Sequence, residues 1–200
     1  MQGDVNEREN TLQFAVGEEH LRLRAMRDDD WGSLHRWAND SEVLWYSEGD
    51  RVERRELAEV KRIYGKVCET ADCFIIECDH APIGECWLQP MNIEEIRQRH
   101  PDRRCWRIDL TIGEKPYWGR GIGTEVIRRL ALRCLAADET AVVYGLVLGH
   151  NLRSRRAFER AGFRLVHEEP QPPGAKAAVE WQLARNWPRT SARRNCNGGS

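Results

Sequence analysis

An α/β domain is the expectation, and three features of the sequence carry it. Segments of strand character recur through the first half, a glycine-rich loop leads into an amphipathic helix at 124–136, and a nearly continuous apolar strand at 141–148 follows that helix. An order of strand, loop, helix, strand and helix points to a sheet with helices laid against it.

The elements can be justified in chain order. Residues 1–19 are mostly polar, and Leu12-Gln-Phe-Ala-Val16 is a candidate to pair with the chain that follows. Residues 20–26 alternate, with Leu21 and Leu23 on one face, which is the period of a strand. Asp28 to Asp30 supply cap residues for a helix at 31–39, where Leu34, Trp37 and Ala38 share a face. A second helical period covers 53–66, through Leu57, Val60, Ile63 and Tyr64. The apolar runs 73–78 and 83–88, joined by 79–82, read as a hairpin. A polar loop with one helical turn is expected at 91–104, then a strand at 105–112. Ile127, Leu130, Ala131, Cys134 and Leu135 give the helix at 124–136 its apolar stripe. The strand at 141–148 is apolar on both sides, as when helices cover both faces. Asn151 caps a helix running to 161, and Gly162 is placed for a left-handed stop. Two last strands fall at 163–168 and 177–184. The expected organisation is an N-terminal extension at 1–19, one domain at 20–184, and a flexible Arg-rich tail at 185–200.

Composition narrows the function. A hydrophobic share of 40% and a charged share of 32% are those of a soluble globular chain. No apolar run approaches the roughly 18 residues of a membrane span, and the first residues lack the apolar region of a signal peptide. A net charge of −1 argues against nucleic acid as a partner. Seven cysteines without a C-x-x-C pair suit neither zinc nor a redox dithiol. They read as small apolar residues in a reducing compartment, hence a cytoplasmic protein without a metal.

The segment Tyr117-Trp118-Gly119-Arg120-Gly121-Ile122-Gly123-Thr124 stands between a strand and a helix. Glycines let main-chain N–H groups approach a ligand, the helix start adds partial positive charge, and Arg120 adds a cation. A phosphate or pyrophosphate would suit that place; a glycine-rich turn without a ligand is the plainer alternative. Neither the dinucleotide pattern nor the P-loop pattern is met, because Thr124 replaces the third glycine and no Gly-Lys-Ser/Thr ending exists.

This loop resembles the coenzyme A pyrophosphate loop of the GNAT acetyltransferases, Gln/Arg-x-x-Gly-x-Gly/Ala, with Trp118 in place of the first polar residue. Asn151 through Ser154, Phe158 and Gly162-Phe163 resemble the second signature of that family, at the right distance downstream. The resemblance implies a GNAT-type mixed, splayed β-sheet flanked by helices, with acetyl-CoA as co-substrate. Pantetheine would enter between the strands at 105–112 and 141–148. Its pyrophosphate would lie on amides of Gly119, Arg120, Gly121, Ile122, Gly123 and Thr124, beside Trp118. Asn151 and Ser154 would meet the pantetheine arm or adenosine, although Asn151 also reads as a plain helix cap. Main-chain groups near Thr111 and Ile112 would polarise the thioester carbonyl.

A narrower resemblance is to aminoglycoside 6'-N-acetyltransferases. It rests on residues 21–26, Trp37-Ala-Asn39, Val43-Leu-Trp45-Tyr46, Pro82-Ile-Gly84-Glu85 and Ile108-Asp109-Leu-Thr-Ile-Gly113. It implies direct attack of a substrate amine on acetyl-CoA in a ternary complex. An ammonium has a pKa of about 10 and must lose a proton before it attacks. Asp109 is the expected general base and substrate anchor; pairing with Arg107 is the alternative. A polycationic acceptor calls for carboxylates and an aromatic wall, with Glu85, Glu94, Glu95, Trp45 and Tyr46 as candidates. Solvated surface for the glutamates and core packing for the aromatics stand as alternatives. Two departures affect detail. Phe158 stands where many GNAT enzymes have a tyrosine acid, leaving protonation of the thiolate to water or to a residue such as Tyr144. Leu146 or Val147 stands where the 6'-enzymes often have a second aspartate, so the acetylated amine could lie elsewhere, such as 2'. Two other functions fit the same motifs: a protein N-terminal acetyltransferase of the ribosomal-protein-modifying type, and a non-catalytic acyl-CoA sensor. The oligomeric expectation is a monomer or homodimer.

Overall fold

A computed structural model describes residues 11–49, 53–168 and 179–183. The expected flexible tail at 185–200 lies outside them.

Eight strands form one sheet in the order β1-β2-β3-β4-β5-β6-β8-β7. β1 (Leu12–Val16) and β2 (Glu19–Ala25) pair antiparallel, so the LQFAV segment belongs to the sheet. β3 (Asp72–Cys78) and β4 (Ala81–Pro90) form the expected hairpin. Its two-residue turn places Asp79 and His80 at φ of +47° and +68°, as a mirror-image turn requires. β5 (Cys105–Ile112) is antiparallel to β4 and parallel to β6 (Val142–Val147). β7 (Phe163–Glu168) and β8 (Val179–Leu183) close the other edge.

Six helices accompany the sheet: α1 (Trp31–Trp37), α2 (Ser41–Ser47), α3 (Leu57–Cys68), α4 (Glu94–Gln98), α5 (Ile122–Ala137) and α6 (Leu152–Arg160). α5 buries Ile122, Val126, Ile127, Leu130, Ala131 and Cys134. These meet Leu21, Leu23, Phe74, Ile76, Leu88 and Ile108 of the sheet in the main core. A smaller cluster joins Leu34, Trp37 and Val60 of α1 and α3 to Ile75, whose side chain points opposite to those of Phe74 and Ile76. The two faces of the sheet are therefore covered by different helices. Among the described residues, no helix is long and apolar enough to cross a membrane.

α2 is an element that the periodicity did not predict. Seven residues give too few turns for an apolar stripe to be read, yet Asp40 caps it by accepting from the amides of Glu42 and Val43. Three buried charged residues, Arg24, Asp30 and Glu77, meet at one place. Arg24 forks onto both oxygens of Asp30, at 2.7 Å each, and also donates to Glu77. This ties β2, β3 and the turn before α1 together.

Two glycines are dictated by close approach. A Cβ at Gly113 would overlap the Trp37 ring, and one at Gly145 would overlap the ring of Phe158. The Gly145→Ala variant should lose about 1–3 kcal/mol of stability in urea unfolding, as overpacked sites do. Adding Phe158→Leu should restore part of the loss; an unchanged unfolding midpoint in the single variant would contradict the close contact.

Candidate active site

The site is built where β5 and β6 part. Their ladder runs from Cys105 opposite Val142 to Ile108 opposite Gly145 and ends there. β5 nevertheless continues to Ile112 and β6 to Val147. Strands that separate leave main-chain groups in need of other partners. Phe158 of α6 rests on Gly145 at the point of separation.

On one side of this gap is the mouth of α5. Gly119 and Gly121 have φ of +78° and +87°, a region open to glycine and strained for other residues. Gly121 is the N-cap, and no side chain caps the helix. The helix begins at Ile122, two residues earlier than its apolar stripe suggested, so Ile122, Gly123 and Thr124 form its first turn. Amides of a first turn point outward without intrahelical partners, and a helix of 16 residues adds partial positive charge. An anion is the natural occupant.

Trp118 fastens this loop to the sheet, its indole N–H donating to the Ile112 carbonyl at 2.7 Å. Thr111, Ile112, Trp118, Gly119, Gly121, Ile122, Gly123 and Thr124 all line the cleft. Arg120 does not line it: its guanidinium donates to Glu19 at 2.6 Å and lies over the Tyr117 ring. Positive charge comes instead from Arg153, Arg156 and Arg160 of α6. Their spacing of three and four residues puts them on one helical face, a signal present in the sequence and overlooked. Arg153 lies 4.0 Å above the Tyr46 ring and 3.8 Å above that of Trp118.

On the other side of the gap is a second cleft, walled by β4, β5 and the first three helices. Tyr46, Leu110, Thr111, Asn151 and Ser154 line both clefts, so the two meet at the gap. Pairing of β4 with β5 sets Glu85 opposite Thr111, Trp87 opposite Asp109 and Gln89 opposite Arg107. Alternate residues share a face. Asp109 therefore stands beside Arg107, whose Nε and Nη2 donate to its Oδ1 at 3.0 and 2.6 Å; Gln89 donates to Oδ2 at 2.7 Å. The Arg107 pairing that the sequence left open is present. Glu48 and Arg55 form a second, bidentate pair in the same cleft.

Glu85 is different in kind. Only 6% of the residue is exposed, and its Oε2 has no hydrogen-bond partner. Burial pushes its carboxyl up to about 8, against a hydrogen bond from Thr111 that lowers it and with the nearby Asp109 charge raising it further. Trp87, two residues along, also has a buried indole N–H without a partner. Tyr64 stands edge-on to Trp87 and lines the cleft.

Other expected residues fall elsewhere. Glu94 and Glu95 do not line either cleft; both are exposed on α4, where Glu94 pairs with Arg97 and Gln98. A five-residue helix points them at solvent, since Ile96 is its buried position. Trp45 is 42% exposed and stacks on His150 outside both clefts. Asn151 uses both ends of its amide: the oxygen caps Ser154 N–H and the nitrogen donates to the Tyr46 carbonyl at 2.8 Å. Phe158 lines the second cleft, whereas Tyr144 lies in a separate cluster with its hydroxyl against His100, 2.9 Å away, and lines neither cleft. Leu146 and Val147, the positions of an expected departure from the 6'-enzymes, line the second cleft. Among the described residues, no group of three His, Cys, Asp or Glu is placed to hold a metal ion.

Comparison with known proteins supplies the family. The chain is 24% identical over 159 residues to the aminoglycoside N(6')-acetyltransferase type 1 of Klebsiella pneumoniae, covering 77% of this chain and 79% of that protein. Among solved structures, an uncharacterised Bacillus halodurans protein superposes with a TM-score of 0.73 at 18% identity, over 88% of this chain and 91% of the other. The enzyme AAC(6')-Ib, solved with ribostamycin and coenzyme A, gives a TM-score of 0.64 at 24% identity, over 82% and 93%. At such identities the structures establish a shared fold. Residues 20–164 match the family model of the acetyltransferase (GNAT) domain, a span that takes in both clefts' strands and the glycine loop, and the chain belongs to that family.

Proposed function

We propose that the protein transfers the acetyl group of acetyl-CoA to an amine of an aminoglycoside, at the 6' or another position such as 2', by direct attack in a ternary complex. One observation carries this reading: a helix mouth suited to a diphosphate and a carboxylate-bearing cleft meet through the gap between β5 and β6. A pantetheine arm is an extended chain that fits such a gap. Its diphosphate would lie on the amides of Ile122, Gly123 and Thr124, with Arg153, Arg156 and Arg160 supplying charge. Its thioester would then stand near Thr111, Ile112 and Ser154. Asp109 would anchor the acceptor ammonium, and Tyr46 would form an aromatic wall common to both substrates. A relative named as an aminoglycoside acetyltransferase and a fold neighbour solved with ribostamycin support an aminoglycoside acceptor. The thiolate leaves with a pKa of about 8.5, so water suffices to protonate it and Phe158 costs the reaction little. A cytoplasmic location fits the reduced state of the six described cysteines.

A second reading has one observation in its favour. The acceptor cleft holds three carboxylates, Glu48, Glu85 and Asp109, but Arg55 and Arg107 pair with two of them. That balance suits a single ammonium, such as a protein N-terminus, better than a polycation. Thiol release from acetyl-CoA with a panel of aminoglycosides and N-terminal peptides separates the two. The expected result is turnover with aminoglycosides; turnover on peptides alone would replace the first reading by the second, and coenzyme binding without turnover would point to a sensor.

Two substitutions test the two halves of the site. Gly121→Val forces a β-branched residue to a φ of +87°, which costs about 1–3 kcal/mol where the mouth must hold its shape. Calorimetry should show coenzyme A binding at least tenfold weaker; retained affinity would remove the loop from the coenzyme site. Asp109→Asn should lower kcat/KM for the acceptor at least tenfold and leave coenzyme binding intact. Unchanged steady-state kinetics would take Asp109 out of acceptor binding.

A further inference from the structure

Asp109 has the position of a base but not the freedom of one. Its two oxygens already accept from three donors, two on Arg107 and one on Gln89. Those donors fill three of the roughly four acceptor positions of a carboxylate, so one position remains for a ligand. Glu85 faces the same cleft with the opposite arrangement: one hydrogen bond from Thr111, and an Oε2 that has no partner. Buried polar atoms are almost always satisfied, so an orphaned acceptor marks the place of an absent donor. The Trp87 indole N–H, also orphaned, sits on the same face two residues further along β4. An acceptor atom and, two residues along the same face, a donor atom left open describe a ligand with an N–H group and an oxygen at about that spacing.

Register adds distance to this. Glu85 stands opposite Thr111, whereas Asp109 lies two residues further back on β5 from the coenzyme mouth. Two residues of strand are about 7 Å, so Glu85 is the nearer of the two carboxyls to that mouth, while an ammonium lodged between them can still meet both. Glu85 is also fixed in place, because a Cβ at its neighbour Gly84 would overlap the Thr111 carbonyl, so β4 and β5 press closely there.

We propose that Glu85 is the group that takes the proton from the acceptor ammonium, with Asp109 left to anchor it and Trp87 to hold an oxygen beside the amine. This rests on the acetyl-transfer reading above. The ammonium enters against Glu85 and displaces the carboxyl proton to solvent, giving a carboxylate–ammonium pair. The ammonium then returns one proton to Glu85 and becomes a neutral amine. Its lone pair forms the C–N bond at the thioester carbonyl and the C–S bond breaks; the second nitrogen proton passes through water to the thiolate, giving amide and coenzyme A. Glu85 keeps that proton when the products leave, which restores the empty cleft with one proton released over the cycle. The groups facing Glu85 are Asp109 with Arg107 on β5, Cys73 and Cys86 on the strands, Cys68 and Tyr64 on α3, and more distantly the Glu48–Arg55 pair. Burial outweighs them, and the carboxyl stands at about 8 in the empty cleft.

The test is Glu85→Gln, which keeps the shape and removes the base. With any amine that the wild type acetylates, kcat should fall about a hundredfold. The rise of kcat/KM through pH 8 should disappear, coenzyme A affinity should stay within about twofold, and Glu85→Asp should recover part of the rate. Wild-type kcat with the alkaline rise intact in Glu85→Gln would overturn the proposal. If the wild type acetylates none of the amines, the acetyl-transfer reading fails instead, and a second measurement still judges Glu85. A carboxyl raised from 4.5 to about 8 on folding stabilises the fold fully below about pH 4.5 and loses that contribution as pH rises to about 8. Urea midpoints of wild type and Glu85→Gln should therefore diverge over that interval, the variant gaining on the wild type. Parallel curves would show that Glu85 holds no proton in the cleft and would sink the proposal.

Discussion

The parallel ladder between β5 and β6 stops at Ile108 and Gly145, and the Phe158 ring lies on Gly145 at that point. A glycine there leaves room for an aromatic ring where a side chain would otherwise stand. The ring in turn belongs to α6, whose start is fixed by the Asn151 cap. Beyond the stop, the sheet's own hydrogen bonding is interrupted, and the freed groups find individual partners; the Ile112 carbonyl takes the Trp118 indole. A cleft through a sheet requires such an interruption, and the helix mouth and the acceptor wall are both positioned by it.

Charge is handled in two ways in the interior. Arg24 satisfies the buried carboxylates of Asp30 and Glu77, and the cluster serves to join strands. In the acceptor cleft, Asp109 and Glu48 are matched by arginines while Glu85 is matched by none. Leaving one oxygen of a buried carboxyl unsatisfied costs stability. A structural carboxylate would not keep that cost when a neighbouring donor such as Trp87 is equally open, and a site that must receive a ligand has reason to keep both.

Most of the architecture was legible in the sequence. β5 was predicted to the residue, and α5, α6 and β6 within a residue or two, because each has an apolar pattern long enough to read or a cap at its start. The splayed mixed sheet came from the resemblance rather than from any periodicity. α2 was lost because seven residues carry no full stripe, and the onset of α5 was placed late because Ile122 and Gly123 precede that stripe. In the site, the glycine loop was found through its spacing. Arg120 and the pair Glu94 and Glu95 were chosen for charge and proximity in sequence, and the structure turns those side chains to other partners or to solvent. Arg153, Arg156 and Arg160 were missed although their helical spacing was visible. Glu85 was among the candidate acceptor carboxylates, but its burial, which sets it apart from Glu94 and Glu95, depends on the strands beside it and on α3.

The wall formed by α2 is attached in an unusual manner. His150 and Asn151 grip it through the main-chain carbonyls of Trp45 and Tyr46, at 2.8 Å each, beside the contacts their rings make with His150. A carbonyl is common to every amino acid, so replacement of either ring leaves those attachments in place. The side chain at 46, which lines both clefts, can therefore be exchanged with the hydrogen bonds that seat the helix kept.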